Sequence, residues 1–364
     1  MVVIQGRHRG ARQYSVPSVL PLLLAACLFL GPANASVGDR LPEFRDCVQV
    51  CMRENCEAVT FAHKVETPLI NRLLFWSCPA ECDYTCQHII TSDRIESGQP
   101  VVQFHGKWPF YRVLGMQEPF SVIFSAGNLY AHLLGFRWLR RHIPESYPLR
   151  KYYVGFSYAG IASWLFSIIF HTRDTNATEQ LDYFAAGASV LYGLYLAVIR
   201  IFRLDRPGST DGGKTPTGNA SSSSSSSSPS TSTTTTPRAI RLWTAACLTA
   251  YGCHVAYLKL VRWDYGYNMA ANVCVGLAQN VLWSAFSYRK YKREGRTWAT
   301  YPGLAVAWIM LAMSLELFDF PPLWGALDAH ALWHLGTIAP TILWYSFLVN
   351  DAQDDMAAAE RFKD

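Results

Sequence analysis

Three histidines and two oxygen-bearing side chains carry the chemistry this sequence could perform. Ser167 and His171 stand four residues apart, and His330 and His334 repeat that spacing near the other end of the chain. Residues four apart share one face of a helix, so each pair points a single way. Three imidazoles drawn from two such helices form the ligand set of a catalytic zinc site, whose fourth position stays free for water. One HxxxH pair alone is a weak signal, because two histidines at a membrane interface can simply be solvated. The constellation carries more, provided that His171, His330 and His334 lie at one depth. Asp182 falls near the same level, at the start of the next apolar segment.

The elements that must position these residues are membrane spans. Half of the residues are hydrophobic and 16% are charged, a balance too apolar for an ordinary soluble protein of this length. Apolar segments at 120–139, 152–171, 182–202, 240–260, 266–286, 300–318 and 329–349 are each near the length of a membrane-crossing helix. Basic residues set their direction. Arg137, Arg140, Arg141, Arg150 and Lys151 fill the first connection, Arg200, Arg203, Arg206, Arg238 and Arg241 flank the third, and Arg289, Lys290, Lys292, Arg293 and Arg296 fill the fifth. Those connections are expected in the cytosol. The alternate loops hold only Arg173 and Arg262 and are expected in the lumen, which puts all three histidines near the lumenal face. A shift of the topology by one crossing would separate them.

The N-terminus has the form of a secretory signal. Arg7, Arg9 and Arg12 precede the apolar run from Val19 to Leu30, and Ala33-Asn34-Ala35 offers a small-x-small cleavage site. A retained anchor is the alternative, but the run is shorter than the roughly 20 residues that cross a bilayer. Beyond it, Cys47, Cys51, Cys56, Cys78, Cys82 and Cys86 crowd one polar stretch. In an oxidising compartment three disulfides are expected, in any of about 15 pairings. A zinc site is the rival, though structural zinc favours shorter spacers. Cys247, Cys253 and Cys274 lie in apolar segments and read as buried hydrophobes.

Other polar groups invite less. His132 and His254 read as hydrogen-bonded packing residues, and His88 and His105 belong to the lumenal region. Glu316, Asp319 and Asp328 could orient a histidine ring or face lumenal water. The serine-rich stretch from Ser221 to Pro237 is too polar and repetitive to bury a core and is expected to be a disordered cytosolic loop. On that side the sequon at Asn219 cannot be used; the sequon at Asn176 is lumenal but close to the bilayer. No glycine-rich nucleotide motif points to a kinase or dehydrogenase, and the net charge of +5 follows from the cytosolic loops rather than from nucleic-acid contact.

Ser167 to Tyr183, SIIFHTRDTNATEQLDY, together with DAHALWH from Asp328 to His334, resembles the motifs of the CREST superfamily of seven-span metal-dependent hydrolases. The resemblance implies zinc on His171, His330 and His334, with Ser167 and Asp182 beside the reacting water. GDRLPEFRDCVQVC, CPAECDYTCQ and QFHGKWPFYR are similar to the branch of that superfamily that remodels GPI anchors. That implies a Golgi-resident phospholipase A2-type enzyme, with GPI-anchored proteins as substrate, that removes an unsaturated sn-2 acyl chain. The C-terminus carries no ER retrieval tetrapeptide, which allows Golgi residence; the ER membrane is the alternative. A cargo receptor without hydrolase activity and a ceramidase-like amide hydrolase are the alternative functions; a proton-coupled transporter ranks last, without broken-helix repeats. The expected fold is an all-α integral membrane protein, a seven-transmembrane helical bundle with a small disulfide-rich N-terminal lumenal domain. Its parts are a signal peptide over 1–35, the cysteine-rich domain over 36–118, the bundle over 119–350 with a disordered loop at 203–238, and a cytosolic tail over 351–364.

Overall fold

The computed structural model describes residues 36–56, 68–206, 237–317 and 319–361, apart from the side chains of residues 316 and 317. The expected signal peptide, residues 207–236 of the serine-rich loop with its sequon, the Glu316 side chain and the last three residues lie outside the described residues. The described chain is helical, with isolated β-bridges at 104/107, 113/116 and 323/327 and no longer strand.

The N-terminal unit is built on α1 (Pro42–Asn55) and α3 (Cys78–Glu96), with the short α2 (Leu69–Leu73) before α3. Cys47 pairs with Cys86, Cys51 with Cys82 and Cys56 with Cys78. Four-residue spacings put Cys47 and Cys51 on one face of α1 and Cys82 and Cys86 on one face of α3. The nested order therefore makes the two helices antiparallel. Phe44, Ile90, Val102 and Phe104 form a core too small to hold such a unit together by burial alone, and each crosslink adds about 2–4 kcal/mol by restricting the unfolded chain. The sulfurs of Cys56, Cys78 and Cys82 lie close enough together to suggest a metal cluster, but all three are oxidised and offer no thiolate.

Seven longer helices follow: α4 (Pro119–His142), α5 (Arg150–Thr172), α6 (Asn176–Ile201), α7 (Arg238–Ala256), α8 (Tyr265–Glu294), α9 (Tyr301–Leu317) and α10 (Ala329–Arg361). They occupy the seven apolar segments. By length and composition α5, α6, α8, the stretch Thr297–Leu315 containing most of α9, and α10 suffice to cross a membrane. α4 falls short because its inward stripe is polar: Ser121, Ser125, Asn128 and His132 are all buried. α7 is 19 residues long and passes into a π-helical turn at Tyr257–Val261.

Neighbour packing closes a ring in the order α10, α4, α5, α6, α8, α9 and back to α10, with α7 against α6. α4 thus stands between the helices that carry His171 and the HxxxH pair. Local chemistry fixes the ends. Thr175 and Thr178 form a reciprocal cap at the start of α6, which also engages the threonine of the Asn176 sequon. Asp328 caps α10, accepting from the Ala331 amide at 2.8 Å. Pro340 inside α10 cannot donate to the Gly336 carbonyl, and the Trp308 indole of α9 donates to that oxygen instead, at 2.9 Å.

α10 continues as helix through Arg361, over most of the expected tail. There Asp351, fully buried, accepts from Arg200 at 2.5 and 2.7 Å and from Tyr153 at 3.1 Å. Asp354 pairs with Lys290, and Asp355 with Arg203 and Arg206. This network ties α6, α8 and α10 together at the end of the bundle away from the histidines.

Candidate metal centre

His171 is the penultimate residue of α5, and His330 and His334 occupy the first turns of α10. The ring bundle places both helix ends at one level around α4, and the three imidazoles meet there. Ring centroids are 4.6 Å apart for His330 and His334, 4.9 Å for His171 and His334, and 5.2 Å for His171 and His330. One ring nitrogen from each lies within 4.8 Å of the others. The Nε2 atoms of His330 and His334 are 3.0 Å apart, close to the about 3.3 Å between two ligand nitrogens of a tetrahedral ion with bonds of about 2.0–2.1 Å.

The remaining nitrogens are held from behind. His171 Nδ1 lies 2.7 Å from Glu118 Oε2, and His334 Nδ1 lies 2.7 Å from Ser125 Oγ. A proton on each Nδ1 donates outward and leaves Nε2 with its lone pair, the tautomer that a metal requires. Glu118 is held in place by the backbone: its amide donates to the His171 carbonyl, and the Gln117 amide to that of Thr172, both at 3.0 Å. Burial pushes the Glu118 carboxyl up; the Lys107 ammonium, 2.5 Å away, and the His171 ring outweigh it and hold the group well below its ordinary value. Glu118 therefore stays a carboxylate facing His171. A neutral three-imidazole donor set backed by one carboxylate fits a borderline-soft divalent cation such as zinc.

Ser167 is buried, with its Oγ 3.0 Å from Ser125 Oγ, so one hydroxyl separates it from His334. Asp182 is the seventh residue of α6, because that helix begins at Asn176, six residues before the expected start. It is half-buried and interacts electrostatically with His171 and His330. All five expected site residues thus gather at one end of the bundle.

Reasoning from sequence missed Glu118, Ser121, Ser125, Asn128 and Lys107. The first four, with His132, fall at intervals of three and four residues, one polar stripe along an otherwise apolar helix. That periodicity was the available signal. Asn128 donates to the His334 carbonyl at 2.7 Å. Ser121 Oγ is buried without a hydrogen-bond partner, one turn from Ser125. Lys107 gave no local signal, since its loop position carries no period.

The other polar residues lie apart. His132 packs against Gly160, where a Cβ would come within 2.1 Å of its ring, and its Nδ1 is 2.7 Å from the Tyr345 hydroxyl. His254 lies 3.4 Å from the Tyr267 hydroxyl. Asp319 accepts from Gln103 and Trp108 at 2.8 and 2.9 Å and so fastens the α9–α10 loop to the N-terminal unit. Neither it nor Asp328, the α10 cap, hydrogen-bonds a site histidine ring.

Residues 68–352 match the Per1-like family, a span that includes every residue of the site. The chain is 37% identical over 336 residues, 92% of each chain, to a protein PER1 homolog of Schizosaccharomyces pombe. It is 37% identical over 327 residues to the GPI-specific phospholipase A2-like PGAP3 of Xenopus tropicalis, covering 89% of this chain and 93% of that one. To the human protein of the same name it is 35% identical over 333 residues, 91% and 93% of the two chains. By the extent of these matches, the chain belongs to the Per1-like family.

Proposed function

We propose that this protein is a zinc-dependent lipid hydrolase that removes the unsaturated sn-2 acyl chain from GPI-anchored proteins at the lumenal face of a Golgi membrane. The observation that carries the reading is the convergence of His171, His330 and His334, each from a helix end at one level, with ring nitrogens within 4.8 Å. The name of the relatives, GPI-specific phospholipase A2-like, supports the substrate. The basic loops support a cytosolic C-terminus and, with it, histidines that face the lumen. The glycerol ester of a membrane lipid lies at the boundary of headgroup and hydrocarbon, the depth of a site one turn inside a helix end.

His171, His330 and His334 would hold the ion through Nε2. Zinc would supply Lewis acidity, polarising an ester carbonyl and lowering the pKa of water to about 7. Asp182 acts as general base: it takes a proton from water as the water oxygen bonds to the sn-2 carbonyl carbon. Ser167 donates a hydrogen bond to the oxyanion that develops there. The carbon–oxygen bond to glycerol then breaks, and the proton held by Asp182 passes to the departing glycerol oxygen. The products are a lyso-GPI protein and a fatty acid. A serine nucleophile is disfavoured because Ser125 stands between Ser167 and His334 and because a metal-committed imidazole cannot serve as base.

Mass spectrometry of GPI lipids from cells carrying His334→Ala as the sole copy tests the reading. The unsaturated sn-2 chain is expected to persist; normal remodelling would contradict a hydrolase and favour a cargo receptor. Ceramide offered to the purified protein separates ester from amide hydrolysis, and faster cleavage of ceramide would displace the GPI assignment.

A further inference from the structure

The N-terminal unit and the mouth of the bundle enclose a cavity of about 200 Å³ for which the hydrolytic steps above provide no role. It communicates with the histidines through two residues. Lys107 lines it and touches Glu118, whose other oxygen meets His171. Three permanent cations face this space, Lys107, Arg112 and Arg173, along with two carboxylates, Asp83 and Asp174.

Most of these charges are already matched. Asp174 lies 2.9 Å from Lys107, and Asp83 holds His105 at 2.9 Å and Gln87 at 2.7 Å. Arg112 is paired with Glu81 at 3.0 Å. Arg173 is the exception. Among the described residues no carboxylate lies within ion-pair distance of it; its Nη1 donates to the backbone carbonyl of Asp174 and its Nε, buried, has no partner. Its guanidinium lies 3.8 Å from the centroid of the Trp76 ring, the same indole that Arg112 approaches at 3.2 Å. Stacking occupies the face of a guanidinium and leaves its N–H edge to bind a planar or tetrahedral oxyanion. Two guanidiniums share one indole, and of the three cations lining the cavity Arg173 alone lacks an anionic partner among the described residues.

The substrate supplies it. In a glycerophospholipid the phosphate is a few bonds from the sn-2 ester, so an ester held at the histidines must place its phosphate just outside them. Arg173 follows His171 by two residues, at the C-terminal end of α5. Resting on the hydrolase reading, we propose that this cavity is the headgroup subsite and that Arg173 binds the phosphate of the glycerophospholipid substrate, making the enzyme selective for phosphate-bearing lipids over neutral diacylglycerols.

The test uses the full purified chain in detergent micelles. Soluble glycerophosphoinositol, the deacylated headgroup, is expected to bind the native protein, with affinity about tenfold weaker in Arg173→Gln, the loss of one charge-assisted hydrogen bond, and partly restored in Arg173→Lys. In parallel, the ratio of kcat/KM for phosphatidylinositol over diacylglycerol is expected to fall about tenfold in Arg173→Gln, through KM. Equal loss on both lipids would make Arg173 a support for His171 and overturn the proposal. So would headgroup binding that is absent from the native protein, unaltered in Arg173→Gln, or displaced by equimolar inorganic phosphate, which would mark a free-anion site. If the native protein cleaves neither lipid, the binding measurements decide the subsite, and the GPI lipids of the His334→Ala cells decide the hydrolase reading separately.

Discussion

The two ends of the bundle both bury polar residues, and they do so by opposite logic. At the end where α10 ends, Asp351 meets both arms of Arg200, with Lys290 at 4.0 Å and Tyr153 in support. Both carboxylate oxygens of Asp351 have donors, so this ion pair fixes helix against helix. At the histidine end the two backed rings are held from behind by groups other than histidine. Glu118 and Ser125 occupy the Nδ1 atoms of His171 and His334, and the opposite nitrogens turn toward a common point. A buried carboxylate paired with a guanidinium positions helices, whereas imidazoles held from behind with their other nitrogens converging are poised to bind.

Substitutions can break this contrast. The largest effect is expected from His334→Ala, which removes one of three ligands and should abolish metal retention and lipid cleavage while the thermal unfolding of the ion-free protein changes little. Asp351→Ala should do the reverse. Stranding Arg200 without its carboxylate should destabilise the bundle by about 3–5 kcal/mol, read as thermal unfolding in detergent, while the folded fraction keeps its metal. Glu118→Gln keeps the shape but removes the charge behind His171, and metal affinity measured by competition with a chelator should fall about 10–100-fold. If Glu118→Gln instead costs as much stability as Asp351→Ala and spares the metal, the two ends follow one logic and the contrast fails.

The smallest effect is in the N-terminal unit. His105 lies 2.9 Å from Asp83 and 3.5 Å from Asp39, and the hydrogen bond to Asp83 outweighs burial to raise it above its ordinary 6.5. Protonation is therefore favoured in the folded state. Its contribution is complete below pH 6.5 and is lost as pH rises through the folded value. With the side chain 58% exposed and screened by solvent, the native protein should melt only slightly lower at pH 8 than at pH 6. His105→Gln should erase that difference, and an unchanged pH dependence would assign it elsewhere.

Much of the site was legible because it obeys a helical period. His330 and His334, and Ser167 and His171, stand four apart, and loop charge led to the expectation that they share one side of the membrane. Asp182 was placed near them, although the helix it belongs to starts earlier, since the Thr175 cap can begin α6 in polar residues that hydropathy excludes. Glu118 shares the period of the polar stripe, but just outside an apolar segment an acid looks like an ordinary interfacial residue; the backbone bonds between 117–118 and 171–172 bring it under the ring. The cysteine pairing was equally hidden, because four-residue spacings state which cysteines share a face but not which helix faces which.

Metal content of the purified full-length protein, measured by elemental mass spectrometry beside His171→Ala, His330→Ala and His334→Ala, tests the central claim most directly. One zinc per native chain, lost in each folded variant, is the expected result. A native chain without bound metal after purification in zinc-containing buffer, or variants that retain it in full, would contradict the claim that these three rings share one ion.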